Sequence, residues 1–263
     1  SVLSWFANPA LLLTAIIALA IVWNPSALAT TRVAKLTVST AATMVAGGFI
    51  VGATIAPDIT RYMKPSLRDA ALVAVTSMCV SAGVQTTGAL LAMMTGSWSL
   101  PYILITAAAL SWLALFVLLA AQWTTNDNNL YSSALAVNNI VRWRKTYLTV
   151  ILGTIGSILA MGLIKYFGLF LTVLGTFIPP FAGIMIADFI VTGKRTIKAY
   201  EEASKLSVNW KAIVAWIIST IIGYITSFVY VTPIPAAFNS LIASLTIYAA
   251  LTYNERPKWL NLR

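Results

Sequence analysis

Apolar residues fill this chain in long runs that short polar connectors separate. A helix needs about 20 mostly apolar residues to cross a bilayer, and eight segments meet that length. They run approximately over residues 2–23, 37–60, 70–94, 106–140, 147–166, 168–191, 210–231 and 234–253. The pattern predicts an all-α integral membrane protein whose residues 1–263 form a single transmembrane domain with eight spans.

The apolar stretch 101–141 is too long for one span. As a single helix it would measure about 60 Å, whereas the hydrocarbon core of a bilayer is about 30 Å thick. We therefore expect residues 97–106 to lie on the outer surface as a connector. Further along, Phe167-Gly168 alone is predicted to turn the fifth span into the sixth, and Pro179-Pro180 predicts a kink in the sixth.

Composition supports lipid as the solvent. The chain is 59% hydrophobic and 9% charged, against about 25% charged residues in soluble domains. Its net charge of +10 would suit a nucleic-acid binder, but the basic residues lie in connectors rather than on one stripe, which argues against a nucleic-acid partner. The chain has no His, and its single Cys, Cys79, lies within an apolar run, so no disulfide framework is expected.

The basic residues also predict the topology. Cytoplasmic connectors carry an excess of Lys and Arg, and the connectors here divide unequally into two alternating sets. One set holds Arg32, Lys35 and Lys165; the other holds Arg61, Lys64, Arg68, Arg142, Arg144, Lys145, Lys194, Arg195, Lys198, Lys205, Lys211, Arg256, Lys258 and Arg263. The larger set is therefore predicted to be cytoplasmic. With eight spans, both chain ends would be cytoplasmic, and the protein would lie in the cell membrane, either a plasma or an inner membrane.

The most polar stretch of any span is Thr124-Thr125-Asn126-Asp127-Asn128-Asn129, near the middle of the fourth span. Polar groups at this depth are costly and need a partner, a cavity or a ligand. The two Thr hydroxyls and a nearby backbone carbonyl would suit a small hard cation. The Asn amides offer both donors and acceptors, like the edge of a nucleobase. Asp127 is interpreted either as a proton carrier or as the partner of a basic residue. Interhelical hydrogen bonding is the structural alternative for the whole run.

The second span contains Gly47-Gly48-Phe49 and ends at Pro57-Asp58. Glycines weaken a helix, and an interruption at this depth would expose backbone groups to a ligand. Close helix packing through small residues is the alternative. Asp58 and Arg61 form either a local ion pair or part of a gate. Near the end of the sixth span, Asp188 is expected to pair with Lys194 or Arg195.

Two segments resemble one transporter family. The run from Gln122 to Ser132 is similar to the eighth helix of cytosine permeases, which belong to the nucleobase–cation symporter family. The segments Gly47-Gly48-Phe49 and 56–62 resemble the sixth helix of that family. The resemblance implies a five-plus-five inverted-repeat fold with two further helices. The eight predicted spans would then be the last eight of twelve, and the chain, which starts at Ser1, is expected to lack the first four.

The resemblance also implies roles for single residues. Sodium would bind the Thr124 and Thr125 hydroxyls and the Ala121 carbonyl, with further ligands on the family's first helix. A base would stack on Phe49. The residues expected to form hydrogen bonds to the base edge are Asn126, Asn128 and Asn129. Val51 occupies a position where some cytosine carriers have a hydroxyl, which leaves room for a different substrate preference.

The implied function is cation-coupled uptake of cytosine or a close relative, with sodium as the coupling ion and no other cofactor. A purine, allantoin or hydantoin carrier, a proton-coupled carrier using Asp127, and a non-transporting membrane subunit are the alternatives. A membrane-embedded enzyme using Asp127 and Asp188 is less favoured, because the chain has no His and no metal-ligand cluster.

Overall fold

The computed structural model describes residues 2–29, 36–60, 63, 66–107, 109, 111–191 and 208–253. Within these ranges all regular structure is helical. The helices are α1 Val2–Ile21, α2 Pro25–Ala29, α3 Val38–Thr60, α4 Leu67–Thr95, α5 Leu100–Tyr102, α6 Ser111–Val141, α7 Lys145–Leu163, α8 Phe167–Phe177, α9 Pro179–Val191, α10 Trp210–Tyr224 and α11 Ala236–Leu251. Short π-helical turns at Ile103–Ala107 and Ile225–Val229 precede α6 and follow α10.

The predicted all-helical membrane architecture is confirmed at a coarse level. Among the described residues, four helical segments are long and apolar enough to cross a bilayer: Val38–Ala56, Leu67–Thr95, Lys145–Ile190 and Trp210–Val229. Pro9–Ile21 and Ala236–Leu251 are shorter apolar helices. The count of eight spans and the inverted repeat stay predictions.

The region after α7 differs from the expected pattern in one detail. The predicted turn at Phe167-Gly168 is wrong in position, because a 3-10 turn at Ile164–Tyr166 precedes these residues and both lie in α8. The prolines behave as predicted. α8 ends at Phe177 and α9 starts at Pro179, where a missing backbone N–H costs no helical hydrogen bond.

The chain folds into two compact units. The first comprises Ser1–Val33 and Asp58–Met161, and the second comprises Ala34–Pro57 and Gly162–Arg263. In the first unit, α1 packs against α4 and α6. Its buried core consists of Ala18 from α1, Leu91 from α4, Ala114 from α6, and Ile103 and Leu104 from the π-helical turn.

That core adds helical structure and burial to the connector expected over residues 97–106, whose place on the outer surface stays a prediction. Residues 100–107 are helical, and Ile103 and Leu104 are 2% and 0% exposed. Two adjacent large apolar side chains favour burial over exposure by about 1.5–3 kcal/mol each. The segment therefore folds back onto α1 and α4 and closes the core of the first unit.

In the second unit, α9, α10 and α11 pack together around Tyr248, whose side chain is 1% exposed. The Tyr248 hydroxyl donates a hydrogen bond to Asp188 Oδ1 at 2.8 Å and accepts one from Asn209 Nδ2 at 3.0 Å. Asn209 Oδ1 in turn accepts from the Ala212 N–H at the start of α10. These bonds join the three helices. Lys194 and Arg195, the expected partners of Asp188, lie outside the described residues.

Glycines allow the helices of the second unit to approach closely. A Cβ atom added to Gly47 of α3 would lie 1.9 Å from the Leu171 carbonyl oxygen of α8, and one added to Gly175 would lie 2.1 Å from the Thr43 carbonyl oxygen. The Thr43 hydroxyl accepts a hydrogen bond from the Ala236 N–H at 3.0 Å, at the start of α11. α3 therefore packs against α8 through close backbone contact, and the Thr43 hydroxyl joins it to the start of α11.

Candidate functional site

The oxygens expected to bind a cation meet within one turn of α6. Thr124 Oγ1 donates a hydrogen bond to the Ala121 carbonyl at 2.8 Å, and Thr125 Oγ1 donates to the same carbonyl at 3.3 Å. Thr side chains in helices commonly bond back to the preceding turn in this way. The helix therefore brings three neutral oxygens together without help from another element. We call Ala121, Thr124 and Thr125 the oxygen turn.

Burial separates Ala121 and Thr124 of the oxygen turn from the residues that follow them. Ala121 and Thr124 are 2% and 5% exposed, whereas every residue from 125 to 129 is exposed. Four consecutive residues, Asn126 to Asn129, point to all sides of a helix. Their exposure means that no described element of the first unit covers this part of α6. In a bilayer such amides need polar partners, because lipid tails offer none.

A further polar residue of α6 was missed in the sequence interpretation. Ser132 is 3% exposed, and its buried hydroxyl has no hydrogen-bond partner among the described residues. It lies eight residues after Thr124 and four after Asn128, so the three share one face of the helix. Its spacing from Asn128 was the available signal, but the polar run was taken to end at Asn129.

Phe49 lies in the second unit, on α3, and is 37% exposed. Interruption and close packing were the two interpretations of its glycines, and α3 is continuous through them. Gly47 packs against α8. Beside Phe49 the helix is open: a Cβ atom on Gly48 would meet no atom within 4 Å, and one on Gly52 would meet only the Phe49 ring, at 3.9 Å. Both flanking glycines therefore leave space around the ring.

Two of the three charged residues predicted at the site, Asp58 and Asp127, lie within the part of the chain that the structure describes. Asp58 is half-buried in the last turn of α3, and Arg61, its expected partner, lies outside the described residues. Asp127 is exposed on α6. Within the described part of the chain, no group of three His, Cys, Asp or Glu side chains could hold a metal ion. The oxygen turn contains only hydroxyl and carbonyl oxygens, which suit a hard monovalent cation better than a transition metal.

Comparison with known proteins shows which family this sequence resembles. The sequence profile of the permeases for cytosine/purines, uracil, thiamine and allantoin matches residues 2–247. The cytosine permease of Escherichia coli strain K12 is 35% identical over 173 residues, which cover 65% of this chain and 41% of the relative. The cytosine permease of Escherichia coli O157:H7 has the same identity and coverage. The match thus spans about two fifths of the length of these curated relatives.

The profile covers α1 to α10 and most of α11, and so includes both Phe49 and the polar run of α6. The resemblance inferred from those two segments is therefore confirmed over nearly the whole chain. Together with the apolar helices, it identifies a multi-pass membrane protein. The chain belongs to the permease family for cytosine/purines, uracil, thiamine and allantoin.

Proposed function

We propose that this protein carries cytosine or a closely related nucleobase across the cell membrane, driven by a cation that is most simply sodium. The family consists of permeases, and the relatives compared above are cytosine permeases. The observation that carries the proposal is the order of groups along α6. Three converging oxygens come first, and exposed amides follow in the next turn.

The oxygen turn supports a cation as the coupling partner. The Ala121 carbonyl accepts both Thr hydroxyl protons. A sodium ion at this turn would rotate those protons away and bind the lone pairs of all three oxygens, as hard cations prefer oxygen ligands. The rest of its coordination would come from outside the described residues. As cargo, sodium would enter and leave with each transport cycle.

The amides support a base as the substrate. Asn126, Asn128 and Asn129 each carry one acceptor and two N–H donors, so together they match a ring whose edge offers both kinds of group. The family resemblance assigns a stacking role to Phe49, and flat aromatic systems gain from offset contact with a base. Val51, also on α3, is apolar, so this chain would rely on α6 for hydrogen bonding to the base.

Cation and base would bind with positive coupling. A cation held at the oxygen turn would order the helix one turn before Asn128, and so would orient its amide in advance. Coupling of this kind typically amounts to about 1–3 kcal/mol and is reciprocal, so the base would raise the affinity for the cation equally. Opposite rocking of the two repeats of the fold would then give alternating access, with both chain ends cytoplasmic.

The test is uptake of radiolabelled cytosine by cells that express the full-length protein. Asn128→Ala should reduce uptake at least tenfold at equal surface expression, because a site built to bond a polar edge loses affinity when its partner is removed. Asn139→Ala is the matched control, an exposed Asn of α6 beyond the polar run, and should transport like the wild type. Normal uptake by Asn128→Ala would refute the substrate assignment.

Two variants of the proposal follow from the same region. The family description also covers purines, uracil, thiamine and allantoin, so unlabelled bases should be tested as competitors. A proton-coupled version would use the carboxyl of Asp127, which is exposed on α6. In that version, uptake would be insensitive to sodium, collapse with a protonophore and fail in Asp127→Asn.

A further inference from the structure

The turn between α6 and α7 is held rigidly by its own hydrogen bonds. α6 ends at Val141, and the Arg142 N–H donates to the Asn138 carbonyl at 2.9 Å. The Asn138 side-chain amide donates to the Trp143 carbonyl. The Arg144 carbonyl accepts the Tyr147 N–H at 3.1 Å and so opens α7. The three residues of this turn therefore have fixed positions relative to both helices.

Arg142 adopts a backbone conformation that is unusual for its side chain. Its φ is +55°, in the left-handed region. Glycine is the usual residue at this place after a helix, since it carries no Cβ penalty. Gly96 follows α4 in that way, with φ +71°. An Arg in a conformation that Gly would adopt without strain suggests that its side chain has a use of its own.

The turn carries three basic residues within four positions, with aromatic residues among them. Arg142 and Arg144 are exposed, as are Trp143 at 55% and Tyr147 at 60%. Lys145 follows Arg144 in sequence, and its ammonium lies 3.3 Å from the centre of the Tyr131 ring. None of the carboxylates that the structure describes forms an ion pair with Arg142 or Arg144.

The charge also lacks compensation along the chain. The nearest acidic residue in sequence is Asp127, fifteen residues before Arg142, or about 22 Å along the helix. The general excess of positive charge on the cytoplasmic side accounts for basic residues in this connector. It does not account for an Arg held in a left-handed conformation by an Asn-capped turn.

We propose that this turn is a binding site for the headgroup of an anionic phospholipid. The guanidinium groups of Arg142 and Arg144 would form bidentate hydrogen bonds to one phosphate. Trp143 and Tyr147 would lie at the depth of the glycerol and carbonyl groups, where such side chains concentrate. The site is separate from the polar run of α6, and the inference does not depend on the transported substrate.

The experiment titrates the full-length protein, in a neutral detergent, with phosphatidylglycerol and follows its unfolding temperature. A basic residue at the bound headgroup is expected to contribute about fivefold in affinity, the size of the attraction between one basic residue and an anionic membrane surface. Arg142→Gly should therefore raise the half-saturating lipid concentration about fivefold. Without lipid its unfolding temperature should equal or exceed that of the wild type, because Gly relieves the backbone. Arg142→Lys keeps one charge in place and should shift half-saturation less than Arg142→Gly.

Lys165→Gln is the matched control, because Lys165 is also a basic residue beside an aromatic ring, 5.9 Å from that of Tyr166. Its titration should coincide with that of the wild type, and phosphatidylcholine should give no saturable shift with any variant. Identical titrations of Arg142→Gly and the wild type, or an equal loss in Lys165→Gln, would show diffuse attraction and overturn the proposal. Saturation by inorganic phosphate at the same concentrations would overturn the lipid assignment as well.

Discussion

Polar residues are placed differently in the two units. In the second unit the hydroxyls of Thr43, Thr176 and Ser240 are buried, and Gly175 and Gly223 lie beside them. In the first unit the polar run of α6 leaves Asn126 to Asn129 exposed. Polarity alone therefore does not show whether a residue of a membrane helix is buried in packing or left exposed.

Hydrogen bonds between helices distinguish Thr43 from the amides of α6. The Thr43 hydroxyl donates to the Ser39 carbonyl and accepts from the Ala236 N–H, so its donor and its acceptor both have partners inside the unit. The exposed amides of α6 have no such partners among the described residues of their unit. Polar groups that bond to a neighbouring helix hold a membrane fold together, whereas intramembrane polar groups without such a bond are candidates for binding a ligand.

The largest effect expected from this comparison is at Gly47. Gly47→Ala would place a Cβ atom 1.9 Å from the Leu171 carbonyl oxygen, and separating α3 from α8 should cost about 2–3 kcal/mol in the free energy of unfolding. The neighbouring Gly48→Ala meets no atom within 4 Å and should be neutral or slightly stabilising. Thermal unfolding in detergent measures both. Equal stability of the two variants would contradict the assignment of Gly47 to packing.

A somewhat smaller effect is expected at Tyr248. Tyr248→Phe removes the hydroxyl that links Asp188 to Asn209 and leaves both without that partner. The expected loss is about 1–3 kcal/mol in the free energy of unfolding. Tyr224→Phe, at a residue 49% exposed, is the matched control and should change little. If the two variants unfold alike, the polar link between α9, α10 and α11 contributes no stability.

Much of the fold was predictable from the apolar pattern, but not all of it. The helix over 37–60 and the break at Pro179 follow from local residue properties, and the structure places both within a residue or two of the prediction. The fold-back of residues 100–107 was not predictable in that way. Its cause is burial of Ile103 and Leu104 in a core that includes Leu91 of α4 and Ala18 of α1, and α1 is distant in sequence.

The candidate site was also predictable only in part. The oxygen turn follows from residue spacing on one helix, so the sequence sufficed to bring Ala121, Thr124 and Thr125 together. The role of Gly47 depends on the approach of α8, and the sequence left packing and ligand contact as alternatives for it. Ser132 shows the same limit, since its polarity was visible but its burial was not.

The most direct test of the account is whether sodium and cytosine bind with coupling at α6. We predict that sodium raises the cytosine affinity of the full-length protein about 5–150-fold, measured by equilibrium binding with choline replacing sodium. Thr124→Val keeps the shape but removes one oxygen and should bring the sodium effect below about fivefold. Thr149→Val, which removes an exposed hydroxyl on α7, should leave it unchanged. A wild-type cytosine affinity that does not change with sodium would contradict the account.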